Sequence, residues 1–129
     1  MKTISNAELR DLLADAGIEH PNLSDLEYKL VTDADLKKLK RILFFIRLLP
    51  FKSEARDCDD FAIFAKALAR FFFGNLAFGE IWADGISSAG GYHAANFFVD
   101  ENKQLHLYEP QNGKIKDFKP TGDRILTII

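Results

Sequence analysis

The chain has 129 residues, 47% of them hydrophobic, which is long enough to close one sizeable core and too short to suggest two. One domain over residues 1–129 is therefore expected, with a core built largely from rings, since twelve Phe stand against one Trp and one Met. A formal net charge of -2 excludes a general electrostatic attraction to nucleic acid or anionic membranes, and neither is expected as a partner.

Ser5 followed by Glu8 has the spacing of a capping box, and a helix from about residue 6 should end near Gly17. Leu9, Leu12, Leu13 and Ala16 mark its buried face. Residues 18 to 32 read as an irregular connection with a short extended piece around Tyr28 to Val31. Thr32 or Asp33 can cap a second helix running to about Leu49, stopped by Pro50. Its buried stripe is Leu36, Leu39, Ile42, Leu43 and Ile46, and the basic run Lys37, Lys38, Lys40 and Arg41 reads as its solvated face. Phe51 to Asp57 reads as a polar loop. A third helix, Cys58 to Phe73, carries Phe61, Ala62, Ala65, Leu68, Ala69 and Phe72 at helical spacing, with Gly74 as its stop. Ile63, Phe64, Phe71 and Phe73 leave it little polar surface, which predicts a buried, central helix.

From residue 76 the period becomes extended. Strands are expected over Leu76 to Ala83, Tyr92 to Asp100, Gln104 to Glu109 and Arg124 to Ile129. A Gly- and Ser-rich loop runs from Asp84 to Gly91, and a hairpin turn covers Asp100 to Lys103. Helices first and strands second predict α+β, with the helix packed on an antiparallel sheet formed by the C-terminal half.

The start of the chain moves into a polar helical pattern without the apolar stretch of a secretory signal, and Ile42 to Pro50 is too short to span a bilayer. One cysteine cannot form an internal disulfide. A cytoplasmic setting is expected.

Cys58 opens the third helix, where unpaired N–H groups favour a thiolate and could hold an oxyanion. A buried, inert core cysteine is the competing reading. His93 begins a strand at the end nearest the Gly-rich loop, where a base can meet substrate. A hydrogen-bonded structural histidine is the alternative there. If the hairpin uses a three-residue loop, Glu101 to Lys103, then Ala95 pairs with Glu109, and Glu109 lies diagonally beside His93 on one face. A two-residue loop would put Glu109 on the other face. Asn96, a polar residue amid apolar strand positions, either holds a neighbouring backbone group or lies on a solvated face.

Three short motifs, Asp57-Cys58-Asp59-Asp60-Phe61-Ala62, Tyr92-His93-Ala94-Ala95-Asn96-Phe97 and Tyr108-Glu109-Pro110-Gln111, resemble the papain-like C-terminal protease domain of the mushroom chimerolectins of the Marasmius agglutinin type. The similarity spans about residues 30 to 129. It implies a papain-like cysteine proteinase fold and a cysteine peptidase acting on peptide or protein substrates. Cys58 would be the nucleophile, His93 the base and Glu109 the orienting carboxylate. The family's activity depends on calcium or manganese, which the resemblance places near Asp59, Asp60 and Gln111. The family's sugar-binding β-trefoil is missing from this sequence, so galactoside recognition is not carried over.

The acidic neighbours give an independent reason for an ion, because carboxylates beside a thiol oppose thiolate formation and a divalent cation would neutralise them. Oxygen ligands suit Ca²⁺ or Mn²⁺. Carboxylates at a helix N-terminus are also stabilising without any ion. Two further readings stay open: a transglutaminase-like acyl transferase using the same residues, and a catalytically inert papain-like binding module.

Overall fold

Each of the first two helices begins where a short polar side chain and a carboxylate three residues on satisfy each other's orphan backbone donors. The computed structural model describes residues 1–48, 58–87 and 90–129. The polar loop expected over Phe51 to Asp57, the stop at Pro50, and Ser88 and Ala89 of the Gly-rich loop lie outside the described residues. In chain order the elements are β1 (Thr3–Ser5), α1 (Asn6–Asp15), β2 (Glu27–Lys29), α2 (Asp33–Arg47), α3 (Cys58–Phe73), β3 (Phe78–Asp84), β4 (Tyr92–Val99), β5 (Leu105–Glu109), β6 (Lys114–Asp117) and β7 (Thr121–Ile128). At α1 the Ser5 hydroxyl accepts from the Glu8 N–H at 3.1 Å. At α2 the Thr32 hydroxyl accepts from the Asp35 N–H at 3.0 Å, while the Asp35 carboxylate accepts from the Thr32 N–H at 3.2 Å.

The C-terminal half forms a five-stranded sheet in the order β6-β5-β4-β3-β7, with every neighbouring pair antiparallel. β1 and β2 pair separately, with Ile4 opposite Tyr28. Strand alternation divides the sheet into two faces. Ile81, Ala83, Ala95, Phe97, Val99 and Leu107 pack with Ile4, Leu9, Leu13 and Tyr28 from α1, β1 and β2. Phe78, Phe98 and Tyr108 pack with Leu39, Leu43, Phe61, Ala65 and Ala69 from α2 and α3. The sheet is thus the middle layer, and both of its faces are covered.

This arrangement corrects the expectation of a buried, central helix. α3 flanks the sheet: Phe61, Ala62, Ala65 and Ala69 are buried, whereas Ile63, Phe64, Phe71 and Phe72 are exposed on its outer side. A helix that is apolar all round gives no periodic signal for the side that faces the core.

The β4–β5 hairpin has the three-residue loop Glu101 to Lys103, closed by the Asp100 N–H donating to the Gln104 carbonyl at 3.0 Å, with Lys103 in the left-handed region at φ 58°. The Asp100 carboxylate organises the turn, accepting from the N–H groups of Asn102 and Gln104 at 2.9 Å each and meeting His106 Nε2 at 2.7 Å. Burial pushes the Asp100 carboxyl up, but the hydrogen bonds from His106, Gln104 and Asn102 outweigh it and hold the group below its usual range. A carboxyl depressed by folding contributes stability above its unfolded value of about 3.9 and loses that contribution as pH falls through its folded value. Asp100→Asn is therefore expected to flatten the fall in urea midpoint below about pH 4 and to cost about 1 kcal/mol at neutral pH. An unchanged acid limb in the variant would show that the turn is held without the charge.

Candidate functional site

The β4–β5 register places Asn96 opposite Tyr108 and Phe97 opposite Leu107. Continued by one pair, it sets Ala95 against Glu109, so Glu109 falls on the face of His93 as the three-residue loop requires. The two side chains meet: His93 Nε2 lies 2.7 Å from Glu109 Oε2. The other carboxylate oxygen of Glu109 accepts from the Gln111 N–H at 3.2 Å, and Glu109 itself is buried. A carboxylate can only accept, so Nε2 carries the hydrogen and, in the neutral ring, Nδ1 is left as an acceptor.

Cys58 stands at the start of α3 and is half-buried. The short connection from Gly74 to Ala77 brings the far end of α3 to the Phe78 end of β3, where Phe78 pairs with Phe98. The N-terminus of α3 therefore points to the Tyr92 end of β4. Asn96 locks this orientation. Its side chain is fully buried, and its Nδ2 donates to the Ala62 carbonyl at 2.9 Å and to the Gly79 carbonyl at 3.1 Å. Of the two readings the sequence left open for Asn96, the structure takes the first.

Cys58 and His93 thus share one end of the sheet, yet among the described residues no hydrogen bond joins the thiol to the imidazole. By alternation His93 belongs with Ala95 and Phe97, on the face opposite the one that α3 covers. Asp59 and Asp60 occupy the first turn of α3, each with a partner of its own. Among the described residues no three His, Cys, Asp or Glu side chains converge to hold a metal. Calcium takes six to eight oxygens, so the two carboxylates and the Gln111 amide suit a hard ion by type and fall short in number.

Sequence reasoning missed a second group at this end of the sheet. Tyr92 is half-exposed, Arg124 of β7 lies 4.5 Å over its ring, and Arg124 Nη2 is 3.3 Å from Asp84 Oδ1. The three residues come from three strands. No local signal in the sequence joins them.

No protein-family model matches the sequence, and no curated protein matches it. Solved structures do. The chain is similar to Polyporus squamosus lectin. A structure of that lectin bound to the human-type influenza-binding epitope Neu5Acα2-6Galβ1-4GlcNAc matches at TM-score 0.76 and 25% identity, over 96% of this chain and 49% of that one. A PSL1a–E64 complex matches at TM-score 0.72 and 26% identity, over 91% of this chain and 46% of that one. The chain spans less than half the length of either lectin chain.

These likenesses correct the assignment drawn from the three motifs. The matched fold is that of a lectin, a half-barrel sheet with helices, and the papain-like proteinase fold is not supported. The cysteine peptidase reading, with its hydrolase activity and peptide substrate, falls with it. The physical reason is that the motifs report local pieces. A Cys at a helix start, a His on a strand and a Glu on the next strand also occur where the thiol makes no bond to the imidazole. Among the described residues no helix is long and apolar enough to cross a membrane.

Proposed function

We propose that this chain is a non-enzymatic binding module whose ligand is a glycan. The observation that carries the reading is the likeness, over nearly the whole chain, to a lectin solved with a sialylated trisaccharide. The arrangement at the Tyr92 end of the sheet supports it chemically. His93 Nδ1, held in place through Glu109, offers an acceptor for a ligand hydroxyl. On the other face of the same sheet end, Arg124, held over Tyr92 and against Asp84, offers a guanidinium for the carboxylate of a sialic acid, with the ring as an apolar floor. Cys58 is, in this reading, a bystander at the rim.

Calorimetric titration of the chain with Neu5Acα2-6Galβ1-4GlcNAc tests the proposal. Saturable binding is expected, weakened roughly tenfold or more in both His93→Ala and Arg124→Ala, because each removes a polar or charge-assisted hydrogen bond worth about 1.5–3 kcal/mol. Failure to bind this trisaccharide or a panel of neutral and sialylated glycans would overturn the module. Cys58-dependent cleavage of a peptide would overturn it as well. The ion suggested for Asp59 and Asp60 is a separate proposal: added calcium or manganese should raise the melting temperature of the wild type but not of Asp59→Asn/Asp60→Asn.

The compound in the PSL1a complex gives a second probe, aimed at Cys58 alone. A melting shift with E64 that Cys58→Ala abolishes would make the start of α3 part of a ligand site. Equal shifts, or none, would leave Cys58 the bystander proposed here.

A further inference from the structure

The outer side of the helical layer carries large apolar side chains that are exposed among the described residues. Phe45 is 70% exposed on α2 and Phe71 is 82% exposed on α3, with Phe72, Phe64, Ile63 and Leu48 also exposed. Phe71 and Phe72 meet edge to face at 5.1 Å, forming a ring pair at the end of α3. A groove lined by Phe45, Ile46, Phe64, Ala67 and Leu68 joins the two helices. A neighbouring groove, lined by Asp35, Lys38, Arg41, Ile42, Phe72 and Phe73, continues the surface. Contiguous exposed apolar surface of this kind marks an interaction face.

Its charge identifies the occupant. Lys37, Lys38, Lys40 and Arg41 are all exposed on α2, and Lys37, Lys40 and Arg41 line a hollow together with Phe44 and Phe45. Asp35 is the carboxylate in the adjoining groove. A chain whose net charge is -2 thus gathers four cations beside its most exposed rings. A second copy docking through the same face would bring these four cations against their own duplicates, like charge against like. Protruding aromatic and aliphatic side chains beside Lys and Arg are what a protein needs to enter the headgroup layer of an anionic bilayer.

We infer that the α2–α3 face is a peripheral membrane-docking surface for anionic phospholipid. The rings enter the headgroup region and the cations meet lipid phosphates and carboxylates. Net charge, from which membranes are not expected as partners, averages over a surface on which charge is unevenly spread.

Co-sedimentation with vesicles of equimolar phosphatidylcholine and phosphatidylserine, against vesicles of phosphatidylcholine alone, tests the inference. The chain is expected to sediment with the anionic vesicles and to be released by salt. Lys37→Glu with Lys40→Glu should lower the partition coefficient by about 25-fold or more, as each basic side chain near an anionic surface contributes about fivefold. Phe45→Ser with Phe71→Ser should lower it by about tenfold with circular dichroism unchanged, because neither ring is in the core. If the ring variant does not fold, the lysine variant decides. No association with anionic vesicles would overturn the inference, as would equal association with both vesicle types. So would a dimer in sedimentation equilibrium that either variant dissolves, because the face would then be self-occupied. Glycan titration is independent of all these outcomes.

Discussion

Gly79→Ala is expected to destabilise the chain by about 3 kcal/mol, the upper end of the range for overpacking a closed core. A Cβ at Gly79 would come to 2.5 Å from the Ile128 carbonyl oxygen, 2.9 Å from Phe97 Cε1 and 3.0 Å from Ile129 Cβ. The first contact decides the size of the effect. A side-chain tip could swing aside, but the Ile128 oxygen belongs to the backbone of β7, in the pair that sets Glu80 against Ile128. Relief requires β7 to move away from β3 or Phe97 to leave its rotamer, and Phe97 is fully buried. The loss would be a large share of the 5–15 kcal/mol typical of folded domains. It should appear as a lower urea midpoint at unchanged slope, with faster hydrogen exchange in β7. A change below about 0.5 kcal/mol would mean that β7 yields freely and does not close that edge of the sheet.

The second large effect is expected at Asn96. Replacing it by alanine removes both Nδ2 donations, to Ala62 and to Gly79, and opens a small cavity between α3 and the sheet. Two lost hydrogen bonds at about 1 kcal/mol each, plus the cavity, predict a cost of about 2–3 kcal/mol. Comparing substitutions tests the mechanism. Among the described residues Asn96 Oδ1 is buried without a partner, so Asn96→Leu loses the donors but also removes one unpaired acceptor. It should cost less than alanine. Asn96→Asp keeps the size and sets a carboxyl against two carbonyl oxygens, and should cost the most, increasingly so at higher pH. If leucine and aspartate are equally costly, cavity and shape dominate and the donor role is wrong. Because Asn96 ties the first turns of α3 to the strand that carries His93, weakened glycan binding should accompany the alanine variant at temperatures where it stays folded.

The sequence by itself determined what depends on neighbours along the chain. Ser5 with Glu8 and the Thr32 cap started α1 and α2, the Leu9 and Leu13 spacing identified the buried side of α1, and Leu39, Leu43 and Ile46 did so for α2. Local periods and caps rest on contacts within about four residues, so they are written in the order of the letters. The hairpin was legible only as a choice, since one residue of loop length moves Glu109 from one face to the other. Only the folded chain decided it, through the Asp100 turn and its left-handed Lys103.

What the tertiary structure alone decided involves residues far apart in sequence. β1 and β2 are three residues each and pair with each other across more than twenty residues of chain. β7 lies beside β3 across thirty-six intervening residues, which is how Arg124 reaches Asp84 and Tyr92. The apolar run of α3 concealed which side would face the sheet, because burial against a partner, not composition, makes that choice. The same holds for the motifs around Cys58, His93 and Glu109. Their residues are local, but whether a thiol meets an imidazole depends on how a helix sits on a sheet. The structure joins His93 to Glu109, shows among the described residues no hydrogen bond from Cys58 to either, and in its whole shape is similar to Polyporus squamosus lectin.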